Sequence, residues 1–590
     1  MNLSSATRAG RSRAVRLLTG GAASLLAVGM LAATTGSPAE AKDDDSHRSH
    51  SKQGRYVKLQ LLSFNDYHGH LESTTPGTVE GTQAGGAEYL STHLSQLRQG
   101  HKNSLTVAAG DLIGGSPFLS GLFHDEPSVE SLNALGLDVS SVGNHEFDEG
   151  VTELLRMQNG GCHPDDGCYF PDEPYAGADF QWLAANVQNA RGKTPLPPYW
   201  IKRVQGVKVG FIGMTLEGTD ALVAQAGIKG WDFLDEVKTA NKLVPKLRKQ
   251  GVQTIIVLLH EGGYQTGSYD DCVGISGPIV QIAENLHPEI DAVITGHTHQ
   301  PYNCSIPDPR GRPRAVTSAF SFGRIISEMN LVMNRKTGEV LRKRTTVTNH
   351  VVTQDVVPDP TETAIIAKWN AIAGPVGSRV VGTISETIAR RGDRQLESGL
   401  GNLIADAQLW ATQDNGAQIA LMNPGGVRAD LTYDSPAGSG GDVTYAETFD
   451  VQPFGNLLST IPMTGDQIKR VLEEQCQPAG GSRAFLFLGV SDGLTYTLDR
   501  TVDASNVCTS VSVTDLALNG VPIDATTTYQ VTVNNFLVDG GDNFTTFTEV
   551  DPSLRVGGGV DLDAFGDYLG TFGPVSDPGI DRVNELFPNG

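Results

Sequence analysis

Residues 57–68 read Val-Lys-Leu-Gln-Leu-Leu-Ser-Phe-Asn-Asp-Tyr-His. The first eight have the apolar, β-rich character of a strand, and the strand runs directly into Asn65, Asp66 and His68, side chains that bind metal ions. The same pattern recurs four times downstream. SLTVAA (104–109) runs into Gly110-Asp111, VSSV (139–142) into Gly143-Asn144-His145-Glu146-Phe147-Asp148, TIIVLL (254–259) into His260, and DAVIT (291–295) into Gly296-His297-Thr298-His299. A sixth strand, VKVGFIG (207–213), carries no such motif. Between strands, Leu90, Leu94 and Leu97 recur at helical spacing, as do Val237, Ala240, Val244 and Leu247. This alternation of strand and helix predicts an α/β layered domain over roughly residues 56–350.

In an open parallel sheet the carboxyl ends of strands converge on one crevice, so five strand-end loops can aim their side chains at a single point. A lone Gly-Asp is a turn, a lone strand-end histidine is a surface residue, and His-x-His arises by chance. Five such motifs, each at a strand end, predict one shared site. Glycine before Asp111, Asn144 and His297 permits the sharp turns and close backbone approach these loops need. His47, His50, His93, His101, His124, His163, His287 and His350 lack this context and read as ordinary loop or helix residues, while His70 reads as orienting the first motif.

The chain has 590 residues, with 44 Lys+Arg against 67 Asp+Glu, a formal charge of −23. That length calls for at least two folded units. An acid excess of this size argues against a partner such as a nucleic-acid polymer, which requires clustered Lys and Arg. At the amino terminus, Arg8, Arg11, Arg13 and Arg16 precede an apolar stretch over 17–33 and then Ala39-Glu40-Ala41. This predicts a signal peptide over 1–41, cut near Ala41, and a secreted mature chain, extracellular or periplasmic, with no membrane anchor. Residues 42–55 are polar and predict a disordered leader. Six cysteines fit an oxidising compartment. They allow 15 connectivities. The economical expectation is neighbour pairing, with Cys162 and Cys168 closing a short loop. A Cys/His zinc site is the rival, but no pair has C-x-x-C spacing.

Over 351–375 the texture changes: Pro358 and Pro360, a short helical pattern, then Gly374-Pro375. This predicts a linker containing a helix. Residues 376–590 have their own core signals, with helices at GNLIADAQLWA and GDQIKRVLEEQ and strands at LTYTL and TYQVTVN. This half is the more acidic, with 11 Lys+Arg against 28 Asp+Glu, so the placement of its few arginines is informative. Arg394 precedes a helix and Arg428 closes Asn423-Pro424-Gly425-Gly426-Val427-Arg428, whereas Arg390 and Arg391 read as surface residues. Gln452-Pro453-Phe454-Gly455-Asn456 and Asn535-Phe536 through Phe544 each set a Phe among turn-forming residues, where a ring can stack on a base.

The motifs Asn-Asp-x-His-Gly-His, Gly-Asp, Gly-Asn-His-Glu-Phe-Asp and Gly-His-Thr-His resemble those of the calcineurin-like metallophosphoesterases. The chain after the leader is similar, along essentially its whole length, to the secreted and periplasmic 5′-nucleotidase and UDP-sugar hydrolase family. The resemblance implies an α/β protein: a metallophosphoesterase sandwich of sheets flanked by helices (56–350), a linker and hinge (351–375), and a separate α/β nucleotide-binding domain (376–590). It implies two divalent metal ions, one held by Asp66, His68, Asp111 and His299, the other by Asp111, Asn144, His260 and His297, with Asp111 bridging. Such a mixed N and O donor set admits Zn, Mn, Fe or Co. It implies catalytic roles for His145, oriented by Asp148, at the phosphoryl or leaving oxygen.

On the substrate side the resemblance implies that Phe454 and Phe536 sandwich the base, that Asp542 accepts from ribose hydroxyls, and that Arg394, Asn423 and Arg428 contact phosphate or nucleoside. It also implies a domain rotation, with its hinge expected at 358–375. The sequence departs from the family's pattern at Pro424 and Asn543, each standing where the family has Gly. The expected function is hydrolysis of nucleoside 5′-monophosphates to nucleoside and phosphate by metal-activated water. Alternatives are UDP-sugar hydrolysis and hydrolysis of nucleoside di- or triphosphates or 2′,3′-cyclic nucleotides. Thiosulfohydrolases share the fold but not the nucleoside-binding motifs. A non-catalytic nucleotide-binding surface protein is disfavoured because no expected ligand is missing. A metalloprotease is disfavoured because no His-Glu-x-x-His helix occurs.

Overall fold

The computed structural model describes residues 54–586 apart from 436, 437, 439, 479–482 and 504–506. The expected signal peptide and all but the last two residues of the expected leader lie outside the described residues.

The strand that leads into Asp66 and His68, Tyr56–Phe64, sits inside a six-stranded sheet. Its spatial order is Thr346–Val351, Ile325–Asn334, Tyr56–Phe64, Ser104–Ala109, Val139–Ser141, Gln181–Leu183. The last four strands are parallel and the first two add antiparallel edges. A second six-stranded sheet runs Tyr302–Pro307, Pro313–Ser318, Ala292–Thr295, Thr254–His260, Val207–Thr215, Tyr199–Val204. Here too the central strands are parallel. The five motifs therefore come from two stacked sheets, three from the first and two from the second, rather than from one open sheet as the strand-end argument assumed.

Period-two alternation accounts for the layering. Leu59, Leu61, Leu105, Val107 and Val139 face Phe211, Ile256, Leu258 and Ile294 in a core between the sheets. The opposite faces pack on helices: Leu62 and Phe64 meet Leu90, Leu94 and Val129, while Ile212 and Val257 meet Val244 and Leu247. The structure is thus a helix–sheet–sheet–helix sandwich.

The carboxyl-terminal part has a five-stranded mixed sheet, in the order Gly489–Val490, Ile419–Met422, Thr528–Asn534, Leu457–Thr464, Val556–Val560. Helices Gly399–Ala411 and Asp561–Phe572 contribute to one core and helix Gly465–Glu473 to another. The cysteines pair as neighbours, Cys162–Cys168, Cys272–Cys304 and Cys476–Cys508.

The segment expected as a linker containing a helix carries an 18-residue helix, Pro360–Gly377, with one face buried. Asp359 caps it by accepting the N–H groups of Thr361 and Glu362, and Pro360 occupies the first turn, where no N–H donor is needed. Trp369 is buried and donates from Nε1 to Glu130 at 2.8 Å, and Lys368 pairs with the same carboxylate at 3.0 Å. Phe118, Ile365, Trp369 and Phe449 share one apolar cluster, so this helix joins the sandwich to the carboxyl-terminal part through a packed core. The residues expected to act as a hinge therefore lie in a docked helix.

Candidate metal centre and substrate cavity

Strand geometry delivers the motif side chains to one place. Asp66, His68, Asp111 and His260 are fully or almost fully buried, as is Asn144. Asp66, His68 and His299 each offer a ligand atom within 4.8 Å of the others, and so do Asp111, His260 and His297. His297 Nδ1 lies 3.1 Å from Asn144 Oδ1, and His68 Nε2 lies 3.6 Å from Asp111 Oδ2, joining the two groups. All seven residues expected as ligands are thus adjacent.

The backbone there is strained. Asp66, His68, Asp111, His297 and His299 all have left-handed φ, between 47° and 70°. Non-glycine residues rarely adopt this conformation, and it concentrates at functional sites. Gly110 has φ +81°, as its place before Asp111 suggested, but Gly143 serves close approach instead: a Cβ there would collide with Asp111 Oδ1.

Hydrogen bonds fix the ring orientations. Nδ1 of His260 donates to the Ala109 carbonyl at 2.7 Å, because a carbonyl can only accept. In the neutral ring Nε2 is therefore the lone-pair nitrogen, and it is buried 2.9 Å from Asp111 Oδ2. His68 repeats the arrangement: Nδ1 donates to the Gly114 carbonyl at 2.7 Å, leaving Nε2 to face His299 and Asp111. Two acceptors so placed call for a positive charge between them. Burial alone would keep His260 neutral, but the Asp111 and Asp66 carboxylates outweigh it and raise its pKa to about 10. A dication satisfies the same demand, and a histidine whose other nitrogen is tied to a carbonyl is the usual form of a metal ligand. The residues present fit divalent metal ions.

His145 Nδ1 and Asp148 Oδ2 are 2.7 Å apart. Burial opposes charge on this imidazole, but Asp148 and Asp111 outweigh it and raise its pKa. His70, expected to orient the first motif, hydrogen-bonds Thr75 and stacks at 3.9 Å on Phe322, whose ring lies edge-on to His68 and His299.

The centre opens into a cavity of about 270 Å³. Asp111, Asn144, His145, Asp148, His297 and His299 line it, together with Arg394, Asn423, Arg428, Phe454, Phe536 and Asp542. The Phe454 ring is parallel to His145 at 5.9 Å, with the Arg428 guanidinium 5.7 Å from its centroid. Asp542 is buried and receives a 3.4 Å contact from Asn423 Nδ2, and Asn423 in turn accepts from Asn534. Burial lowers the pKa of Arg428 to about 10 and that of Arg394 well below its usual value. Asp66, His68 and His260 do not line the cavity; they stand behind its wall.

Three residues have roles here that the sequence did not assign to them. Arg483 lines the cavity and adds a third guanidinium, yet it belongs to no motif. Asn65 donates to Asp66 Oδ2 at 2.6 Å and to the Phe320 carbonyl, fixing that carboxylate. Glu146 accepts N–H bonds from Asp111, Leu112 and Gly143, tying together the ends of two strands. Arg390 and Arg391, expected at the surface, stay outside the cavity lining, Arg390 beside Asp430 and Arg391 on the Glu397 carbonyl. Pro424 forms a short 3₁₀ turn with Gly425 and Gly426, and Asn543 hydrogen-bonds Gln477.

Comparison with known proteins agrees with this architecture. Residues 59–301 match the family described as calcineurin-like phosphoesterase, and residues 380–549 match the 5'-nucleotidase C-terminal domain. The chain is 34% identical over 571 residues to the cell wall protein Lmo0130 of Listeria monocytogenes, covering 90% of this chain and 69% of that protein. It is 33% identical over 508 residues to the endonuclease YhcR of Bacillus subtilis, covering 85% of this chain but only 38% of that protein. Among solved structures, the 5'-nucleotidase precursor from Thermus thermophilus superposes with a TM-score of 0.72 at 28% identity, covering 90% of this chain and 99% of that one.

Proposed function

The chain belongs to the 5′-nucleotidase family of calcineurin-like phosphoesterases and is a metal-dependent phosphoric ester hydrolase; we propose that it hydrolyses nucleoside 5′-monophosphates to nucleoside and inorganic phosphate outside the cytoplasm. One observation carries this reading: a single cavity is lined both by residues of the metal centre and by two phenylalanines, an aspartate and three arginines. A ligand with a phosphate at one end and an aromatic base at the other matches both sets of residues.

In this reading Asp66, His68, Asp111 and His299 would hold one divalent ion, and Asp111, Asn144, His260 and His297 a second. Ions bound there would supply Lewis acidity and a nucleophilic water for the attack on phosphorus. His145, held through Nδ1 by Asp148, presents its other nitrogen to the phosphoryl group and protonates the departing 5′-oxygen as the P–O bond breaks. Arg394, Arg428 and Arg483 hold phosphate oxygens with their guanidinium forks. Phe454 and Phe536 clamp the base, and Asp542 accepts from the ribose hydroxyls. Because the net charge is −23, substrate capture rests on these local cations and not on long-range attraction.

Phosphate release from AMP, ADP, ATP, UDP-glucose, 2′,3′-cyclic AMP and a single-stranded oligonucleotide, with chelator and with Mn, Co or Zn restored, tests the proposal. AMP is expected to turn over only with metal. Cleavage of the oligonucleotide alone would replace the nucleotidase reading with a nuclease one.

A further inference from the structure

A second group of metal-ligating side chains stands apart from the residues expected to hold the catalytic ions. His124, Glu149 and His163 each offer a ligand atom within 4.8 Å of the others. Nδ1 of His124 is 2.7 Å from Glu149 Oε2, its Nε2 is 3.0 Å from Asp166 Oδ2, and its ring stacks on His163 with centroids 3.8 Å apart. In sequence, His124 and His163 read as ordinary loop or helix residues. The structure brings them together because the Cys162–Cys168 bond and the paired backbone hydrogen bonds between His163 and Gly167 hold the loop that bears His163 and Asp166.

We propose that His124, Glu149 and His163 form an additional divalent-metal site, with the Asp166 carboxylate orienting His124. Three features support it. The two faces of His124 repeat the arrangement at His260: one nitrogen is tied to an oxygen acceptor that sets the ring, and the other is directed at a carboxylate. A metal-bound histidine is commonly held in this way. His124 and Asp125 are consecutive residues with left-handed φ, 50° and 61°, and the strain is held in place because the Asp125 carboxylate accepts from the Gly114 N–H and the Ser120 hydroxyl. Lastly, two imidazoles and a carboxylate select a borderline transition-metal dication such as Zn²⁺ or Co²⁺ over Mg²⁺ or Ca²⁺, which favour oxygen donors.

Zinc bonds of about 2.0 to 2.2 Å set neighbouring ligand atoms roughly 3.4 Å apart. Coordination therefore needs the His163 ring to swing out of its stack on His124, because the lone pairs of two parallel rings cannot converge on one ion. His163 Nδ1 then exchanges the 3.2 Å hydrogen bond from the Asp166 N–H for the metal. Glu149 also lines the substrate cavity, next in sequence to Asp148. An ion bound here neutralises a carboxylate in the wall of a cavity proposed to receive an anion.

Calorimetric titration of the metal-stripped full chain with Zn²⁺, repeated with Co²⁺ and read by its absorption spectrum, tests the site without reference to hydrolysis. His163→Ala is expected to bind one equivalent fewer than the native chain while keeping its metal-dependent phosphatase activity. Asp166→Asn is expected to keep the number of sites and weaken one of them about 10- to 100-fold. Equal stoichiometry in the native chain and His163→Ala overturns the proposal. Should His163→Ala fail to fold, unchanged affinities in Asp166→Asn overturn it equally.

Discussion

The Glu146 carboxylate accepts the backbone N–H of Asp111 at 2.9 Å, across 35 residues of chain, and the same side chain also takes the N–H groups of Leu112 and Gly143. One buried side chain thus sets the position of the carboxylate proposed to bridge two ions. Replacing Glu146 with Gln turns an amide N–H toward backbone donors and leaves at least one of them unpaired, at a cost of about 1 to 3 kcal/mol. The variant should bind metal more weakly and melt earlier, and added Mn²⁺ should recover part of its phosphatase activity. Native metal affinity in Glu146→Gln, measured by titration, would show that the clamp does not position Asp111.

His145 is placed by Asp148 and stands in the cavity wall, outside both groups of proposed ligands. His145→Ala should therefore keep its metal content and lose about 10²- to 10⁴-fold in kcat. Asp148→Asn should lose less, because the ring remains but its orientation and charge are less well supported. If His145→Ala lost metal in proportion to activity, His145 would be a ligand.

Phe536 is half-buried against the carboxyl-terminal core and also lines the cavity. A base stacked on it is worth about 1 to 3 kcal/mol, so Phe536→Ala should raise KM for AMP roughly 5- to 150-fold with kcat little changed. Arg483→Ala should also raise KM, since its guanidinium stands in the wall of the same cavity. A fall in melting temperature without a change in KM would make Phe536 a core residue only.

Glu362 lies fully buried in the helix that joins the two halves. Burial raises its carboxyl to about 8, with Asp359, Glu130 and Glu88 adding to the rise and Ser131 opposing it. The folded chain then keeps a proton that the unfolded chain releases above its ordinary value of 4.5. Linkage makes the native state lose stability as pH rises from about 4.5 to 8, with no further loss above that window. Glu362→Gln carries no such proton, so its melting temperature relative to native should climb across that window and then level off. A difference that is flat with pH would contradict the assigned shift.

Much of this architecture is written locally in the sequence. The strand preceding Asp66 shows its two faces by alternation, and polar residues at strand ends have no structural reason to be Asp and His five times over. What was not legible depends on contacts between distant segments. Alternation and apolar content mark a segment as a strand but not the sheet it joins, so VKLQLLSF and TIIVLLH carry no mark saying that they belong to different sheets. Pro360 and Pro375 read as linker punctuation, whereas the first occupies a helix start that tolerates proline and the helix is held by Trp369 and Lys368 on Glu130. Arg483 has no neighbouring motif to mark it, and Glu146 is one letter in a motif whose His and Asn draw attention first. His124 and His163 meet only because a short disulfide-closed loop brings the His163 ring onto His124.

The central claim is that one cavity joins a metal-dependent phosphatase centre to a nucleoside clamp. Its most direct test is the steady-state hydrolysis of AMP compared with that of a phosphate ester lacking a base, such as ribose 5-phosphate, by native protein and Phe454→Ala/Phe536→Ala with Mn²⁺ present. The account predicts that native protein prefers AMP in kcat/KM by at least about tenfold, the equivalent of one stacked base, and that the double variant loses this preference while still cleaving the sugar phosphate. Equal kcat/KM for the two esters in the native protein would contradict it.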